Sequence, residues 1–445
     1  MMGYIVYFQV VQSRDIIRSS YNARQDSYAD RVVRGDIVDR NGNVLAHSEV
    51  QADGSEVREY PYGRLFAHVV GYSDQGKAGL ESEMNFELLT SNAFFLEKIK
   101  NEFQDKKNMG DSVVTTLNLE LQEAAYDALG NYKGAVVVME PSTGKILAMV
   151  SKPDFDLNTV AENWDFLNTD QDSVLLNRAT QGQYAPGSTF KVVTALEYMR
   201  ENKNTYDDFS YTCSGSDYEE GGTTIPCADG NVHKTETLVK AFANSCNSAF
   251  SHIGAGLDNA SFRELCNTFL FNRNIPVAFE YNKSSFVLNK ESGISESQET
   301  AIGQGKTMIS PLHNLMIAST VANGGKMMTP YVVDYIEDAY GRIVKQYKPS
   351  VIEQLMSAEE AEYLTECMEE VIDSGTGSSM RWSSYNAAGK TGSAQYDSSD
   401  NIHSWFVGFA PAENPQIAIS VVLEGGYSGS SAQYTAKAVF DAFFV

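Results

Sequence analysis

Cysteine, histidine and positive charge are scarce in this chain, and each scarcity removes a class of function. Five cysteines in 445 residues are too few for a disulfide scaffold, and their spacing matches none of the short metal motifs. The six histidines are scattered, without the H-E-x-x-H pair of a zinc protease. Lys and Arg total 34 against 58 Asp and Glu, a formal net charge of −24, which argues against a nucleic-acid partner. The simpler meaning of that charge is a well-solvated surface. Phosphate loops are missing as well. Gly305-Lys306-Thr307 and Gly389-Lys390-Thr391 end like one, but each lacks the glycine five positions earlier. No metal and no cofactor is expected.

A long apolar run is also lacking. Residues 1–11 are apolar but fall well short of the ~20 needed to cross a bilayer, with no basic leader and no cleavage site. We read residues 1–12 as the outer end of a membrane anchor whose span lies ahead of Met1. The alternative is a short buried segment of a soluble protein. The length is enough for two or three domains with a large core, and neither an internal repeat nor a low-complexity tract interrupts it.

What is present centres on Tyr184-Ala-Pro-Gly-Ser-Thr-Phe-Lys191. Pro186 and Gly187 punctuate the chain, and Phe190, Val192, Val193, Leu196 and Met199 follow at helical spacing. Ser188 and Lys191 therefore share one face of a first helical turn, with Ser188 at the positive end of the helix dipole. A serine there can be a nucleophile with a lysine in reach of its proton. S-x-x-K alone is weak: Ser142-Thr-Gly-Lys145 matches it and reads as a hairpin turn. Company in order strengthens it, because Ser245-Cys246-Asn247 and then Lys390-Thr391-Gly392 follow. S-x-N also occurs at Ser20, Ser384 and Ser399, but the last two abut or follow K-T-G, which occurs once.

The rest of the chain gives the setting. Residues 12–33 read as an amphipathic helix, and Asn41-Gly42 between β-branched runs as a hairpin. Residues 47–110 mix short strands and helices, with Gly79-Leu80-Glu81 either a contact point or a plain turn. Residues 110–117 read as a strand, 119–129 as a helix, and 134–139 and 145–150 as a strand pair. Residues 154–187 read as a loop-rich approach, 200–235 as polar and glycine-rich, and 237–244 as a helix delivering Ser245 and Asn247. Helices are expected over 312–321, 358–373 and 432–444, a flexible loop over 375–380, and strands from 390, 404 and 416. Cys213 and Cys227, fourteen positions apart, are either a surface-loop disulfide or two free thiols. Adjacent antiparallel strands with terminal helices packed on them fit an α+β domain.

The ordered set Ser188-x-x-Lys191, Ser245-x-Asn247 and Lys390-Thr391-Gly392 resembles the penicillin-binding protein transpeptidases. Tyr184-x-Pro-Gly, Gly303-Gln-Gly305, Asn323-Gly-Gly325 and Trp405-Phe-Val-Gly-Phe-Ala-Pro411 extend the likeness. Arg34-Gly-x-Ile-x-Asp39-Arg-Asn-Gly42 and Gly79-Leu-Glu81 resemble the pedestal of the class B, monofunctional type. Departures are Ser393 after K-T-G where threonine is usual, a short pedestal, and no repeat domains after the catalytic domain.

The resemblance implies an α+β transpeptidase-like domain, a central antiparallel sheet flanked by helices, over 116–445, with a smaller pedestal over 13–115. It implies an extracytoplasmic peptidoglycan D,D-transpeptidase held at the cell membrane by a single span. Ser188 would attack the bond between the terminal D-alanines of a stem peptide, with Lys191 as base and Lys390 as the second cation that favours a neutral Lys191. Ser245 would relay a proton to the leaving amine, and Asn247 would hold the substrate. Lys390 and Thr391 would bind its carboxylate, with Gly392 and Ser393 alongside, and the N–H groups of Ser188 and Ser393 would form the oxyanion hole. Implied partners are peptidoglycan stem peptides, β-lactam antibiotics and a polytopic membrane glycosyltransferase.

Rival readings share this fold. A class A β-lactamase needs a deacylating E-x-x-L-N segment after S-x-N; residues 248–389 contain none, and the nearest in type, Asp165-Phe-Leu-Asn168, precedes Ser188. A D,D-carboxypeptidase would release D-alanine without cross-linking. A non-catalytic penicillin sensor would need a multi-span segment, and a dead-site scaffold would not keep every catalytic side chain. A second, glycosyltransferase domain does not fit in residues 1–115.

Overall fold

The computed structural model describes residues 31–104, 106–396, 401–425 and 431–445. The anchor remnant and most of the amphipathic helix expected over 12–33 lie outside them, as do the S-x-N match at Ser20 and most of that at Ser399. Among the described residues, no helix is long and apolar enough to cross a membrane.

The core is built on a five-stranded antiparallel sheet. Its strands run, edge to edge, Ala388–Gln395, Ile402–Ala410, Ile417–Leu423, Gly134–Met139 and Ile146–Lys152. Gly134–Met139 and Ile417–Leu423 are buried at every residue, the mark of a strand covered on both faces. Helices Leu119–Leu129 and Ser431–Phe444 pack on each other and on the sheet. Pro311–Ala322, apolar almost all round, sits between the sheet and helix Ala358–Asp373. The expected strands and helices over 112–152 and 388–444 are present with small shifts of boundary.

Three stretches differ from expectation. The approach to Ser188 contains a helix, Val160–Thr169, whose Val160 and Leu167 are its buried side; the four- and three-residue steps Val160, Trp164, Leu167 carry an amphipathic period hidden among acidic residues. The polar stretch 200–235 forms two small sheets, Tyr211–Cys213 with Lys234–Glu236 and Ser216–Tyr218 with Thr224–Pro226. The glycine-rich 375–380 is packed: Thr376 N donates to Ala243 O at 3.1 Å, and Met380 is buried in a 3₁₀ turn, Ser378–Met380.

The N-terminal region forms a six-stranded sheet that borrows from later sequence. Strands Ile37–Val38, Val44–Val50, Glu56–Glu59 and Ser112–Thr115 are joined by Val333–Glu337 and Ile343–Gln346. The Asn41-Gly42 hairpin joins the first two, and Asp39 holds it: Asp39 Oδ1 accepts from Asn41 N and Asn43 N, each at 2.8 Å. Asp39 Oδ2 accepts from Leu119 N at 3.2 Å, tying the hairpin to the first helix of the catalytic region. Gly79-Leu80-Glu81 is a contact point. Glu81 lies in the first turn of helix Gly79–Glu83, is fully buried, and accepts from Arg34 Nε at 2.5 Å and Arg58 Nε at 2.7 Å.

Two outcomes follow from these carboxylates. Glu81→Ala leaves two guanidinium groups buried without their anion, so unfolding in denaturant should lose about 3–5 kcal/mol; an unchanged midpoint refutes the role. The neighbouring Glu83 lines a cavity with His68, Tyr72, Phe279 and Glu280. Burial first, and then the charge of Glu280, push its carboxyl from 4.5 up to about 8. The folded chain then keeps a proton that the unfolded chain gives up. This contribution to stability is complete below pH 4.5 and is lost as pH rises towards 8. Glu83→Gln should flatten that fall in thermal midpoint; an identical pH profile for the variant refutes it.

Candidate active site

Ser188 stands in a 3₁₀ turn, Gly187–Phe190, that runs straight into helix Lys191–Glu201. Its place is fixed by backbone packing too close for side chains. Gly187 has φ +56°, and a Cβ there would meet Ser393 O at 2.5 Å. Gly187 N donates to Gly303 O at 2.8 Å; Gly303 has φ +78°, and its Cβ would lie 1.8 Å from Gly187 O. Only glycine fits either position. Trp405 Nε1 donates to Ala185 O at 3.1 Å, and Asn314 Nδ2 to Thr189 Oγ1 at 3.0 Å. Phe190 drives the turn into the core against Phe262, Phe271 and Phe286. The apolar series of the sequence thus anchors the turn, while Ser188 stays half-exposed.

Lys191 is fully buried. Its Nζ donates to Ser245 O and Asn247 Oδ1, both at 2.8 Å, and lies 3.3 Å from Ser245 Oγ. Ser245 links helices Leu238–Ala243 and Asn247–Gly256 with φ +55°, a left-handed residue without glycine's freedom. Lys390, also fully buried on the edge strand, donates to Ser245 Oγ and to Thr391 O, each at 3.0 Å. Burial draws the Lys191 amine down to about 7, against the opposing pull of Cys246, Cys227 and Glu236. Burial, then the charge of Lys191, holds Lys390 well below the usual lysine range.

Ser188, Ser245, Asn247, Thr391, Gly392 and Ser393 line one cleft of about 340 Å³, within the size range of ligand sites; Lys191 and Lys390 form its floor through Ser245. Every candidate residue from the sequence is brought together here. Thr376, Gln304, Asn231 and His233 also line it and were not anticipated as site residues. Thr376 Oγ1 is 2.5 Å from Thr391 Oγ1, and Gln304 Nε2 donates to Ser393 O at 3.5 Å. Gln304 was within reach, as the centre of Gly303-Gln-Gly305; Thr376 offers no local signal. Asp165 lies exposed on helix Val160–Thr169 and is not among the lining residues.

Of the two readings open for the cysteine pair, the structure has the free thiols, both of them buried. Cys213 and Cys227 are free, with Sγ atoms 3.7 Å apart, far beyond a bond of ~2.05 Å. Although the spacing matched no metal motif, Cys213, Cys227, His233 and Cys246 converge beside the cleft.

Residues 134–444 match the penicillin binding protein transpeptidase domain and residues 34–113 the penicillin binding protein A dimerisation domain. The chain belongs to the penicillin-binding protein transpeptidase family. It is 31% identical over 428 residues to the peptidoglycan D,D-transpeptidase PbpA of Mycobacterium tuberculosis, covering 90% of this chain and 85% of the relative. Among solved structures, the imipenem acyl-enzyme of M. tuberculosis penicillin-binding protein A superposes with a TM-score of 0.84 at 29% identity, covering 93% of this chain and 99% of that one. The D,D-transpeptidase domain of an Eggerthella lenta peptidoglycan glycosyltransferase gives 0.84 at 31%, covering 93% and 98%.

Gly187→Ala tests whether backbone contact sets the position of Ser188. The added carbon must push the Ser188 turn away from Ser393, and displacement of about 1 Å costs roughly 10²-fold in rate. Stopped-flow acylation of a folded variant at the wild-type rate would show that the contact does not matter.

Proposed function

We propose that this chain is a peptidoglycan D,D-transpeptidase whose nucleophile is Ser188. The observation that carries the role assignment is the pair of buried lysines meeting at one hydroxyl, Ser245 Oγ, in the cleft that Ser188 lines. A neutral Lys191 takes the Ser188 proton as Oγ attacks the D-Ala-D-Ala carbonyl. Ser245 passes a proton to the leaving D-alanine, and the acceptor amine of a second stem peptide resolves the acyl-enzyme. Asn247 and Thr391 hold the donor peptide. Backbone N–H groups of Ser188 and Ser393 face the oxyanion, on the order of a few kcal/mol per donor. Gly392, which would meet Thr189 Cγ2 at 3.0 Å if it bore a Cβ, keeps that strand close to the Ser188 turn.

The same reading places the catalytic domain outside the cytoplasm, held by a single span, with the apolar residues 3–11 in support. It pairs the chain with a polytopic membrane glycosyltransferase. Support for a docking partner comes from helix Phe95–Phe103 near the pedestal sheet, where Phe95, Leu96 and Phe103 are exposed.

Intact mass after incubation with benzylpenicillin tests the assignment. One adduct should form on the Ser188 peptide and persist. Ser188→Ala and Lys191→Ala should abolish it, and Lys390→Ala should slow it less severely. An adduct retained in Ser188→Ala, or equal small effects of the two lysine variants, would overturn these roles. With donor and acceptor stem peptides supplied, a cross-linked product is expected; release of D-alanine alone would favour a carboxypeptidase.

A further inference from the structure

Beside the cleft, four side chains from three separate segments present their ligand atoms to one another. Cys213 and Cys227 Sγ are 3.7 Å apart, Cys227 and Cys246 Sγ 3.8 Å, and Cys213 Sγ and His233 Nδ1 3.5 Å. All four ligand atoms lie within 4.8 Å of one another, and the three thiols are buried. A tetrahedral zinc with Zn–S of ~2.3 Å and Zn–N of ~2.05 Å requires S···S edges of about 3.8 Å and S···N edges of about 3.6 Å. The three measured edges match these. A disulfide would require one pair to close to ~2.05 Å and would leave the third thiol without a role.

The surroundings suit thiolates. Gly215 N donates to Cys213 Sγ at 3.4 Å, and Ala249 N to Cys246 Sγ at 3.4 Å. Ser248 Oγ lies 3.1 Å from Cys227 Sγ. Cys246 is also the N-cap of helix Asn247–Gly256, where the helix end favours negative charge. Such outer contacts orient ligands in metal centres.

We propose that Cys213, Cys227, His233 and Cys246 form a Cys₃His site for one Zn²⁺, and that this ion clips the Ser245 loop in place. The site is closed, with four protein ligands and no open position, so its role is structural. Its leverage comes from Cys246, the residue between Ser245 and Asn247. Metal bonds hold Cys246 to two small sheets that have little core of their own, Tyr211–Cys213 with Lys234–Glu236 and Ser216–Tyr218 with Thr224–Pro226. Held there, Ser245 keeps its left-handed backbone and its hydroxyl between the two lysines. The link to catalysis rests on the transpeptidase reading; the metal site does not.

Elemental analysis and native mass spectrometry of the full chain, purified reduced and dialysed after exposure to zinc sulfate, read the site without any acylation. About one zinc per chain is expected, with Cys213→Ser and His233→Ala each binding at least about 10–100-fold more weakly, since loss of a direct ligand costs no less than loss of an outer contact. Cobalt(II) in place of zinc should give tetrahedral d–d bands and a thiolate charge-transfer band that weakens in Cys213→Ser. Folded wild-type chain without stoichiometric metal, or a Cys213–Cys227 disulfide in peptide maps, would overturn the site. Chelator-stripped wild type should then be acylated by benzylpenicillin more slowly, by about 10²-fold if the Ser245 hydroxyl shifts by about 1 Å, and recover when zinc is returned. Equal rates with and without bound zinc would overturn the clip. Because metal content and acylation are read separately, failure of the site and failure of the transpeptidase reading are told apart.

Discussion

Two lysine side chains are buried around one serine hydroxyl, and the rest of the molecule is arranged to tolerate that. Among the described residues, neither Lys191 nor Lys390 has a carboxylate in hydrogen-bond reach. Two uncompensated ammonium groups in such a place are costly, so the amines are held towards neutrality instead. A neutral amine has two N–H donors and one lone pair. Ser245 O and Asn247 Oδ1, at 2.8 Å, use both donors of Lys191. The lone pair is left for a proton, with Ser245 Oγ 3.3 Å away. Lys390 meanwhile donates to that same Oγ. The hydroxyl thus lies within reach of both amines, 3.3 Å from Lys191 Nζ and 3.0 Å from Lys390 Nζ, the placement a proton relay requires.

Such an arrangement works only if three distant segments are held in register. The Ser188 turn is locked between the Gly303 segment and the edge strand Ala388–Gln395 by contacts that exclude a Cβ. The edge strand is held by Ile402–Ala410 along its whole length, Lys390 opposite Val407 and Ser393 opposite Ser404. The Ser245 loop has no sheet to hold it. It joins two helix ends in a strained conformation. Side-chain contacts hold it, Asn244 Nδ2 to Glu236 Oε1 at 2.6 Å and Asn247 Nδ2 to Pro226 O at 3.1 Å, and to these Cys246 adds a handle for a further tether.

The chemistry was legible in the sequence wherever it depended on local backbone. Pro186-Gly187 before an apolar period fixes the Ser188 turn, and the i, i+3 spacing fixes which way Lys191 points. Apolar runs such as 134–139 and 417–423 announce buried strands, and Asn41-Gly42 its hairpin. What was not legible depends on residues far apart in the chain. That the pedestal sheet takes in Val333–Glu337 follows from pairing with Ser112–Thr115, which no local pattern encodes. Nor does a local pattern bring Cys213 to Cys246, since their segments meet only through two three-residue strand pairs in a stretch that reads as polar loop. Helix Val160–Thr169 escaped for a different reason: its narrow buried side is outweighed by the polar residues around it.

On the mechanism proposed above, the fate of the acyl-enzyme depends on what remains in the cleft once Ser188 is esterified. Hydrolysis needs a base aimed at water on the open face of the ester, a contribution typically worth about 10²–10⁴-fold. Among the described residues that line the cleft, Asp229 is the one carboxylate, and it is exposed. An exposed carboxylate samples solvent in many orientations and is not held against one water molecule. The other acidic candidate, Asp165, lies on an exposed helix and not on the cleft wall. Among the described lining residues, no carboxylate is therefore held against such a water. A peptide amine has the advantage on two counts: it is the stronger nucleophile, and the cleft walls can hold it. The same asymmetry that lets a tethered amine form a cross-link leaves a β-lactam, which brings no amine, on Ser188.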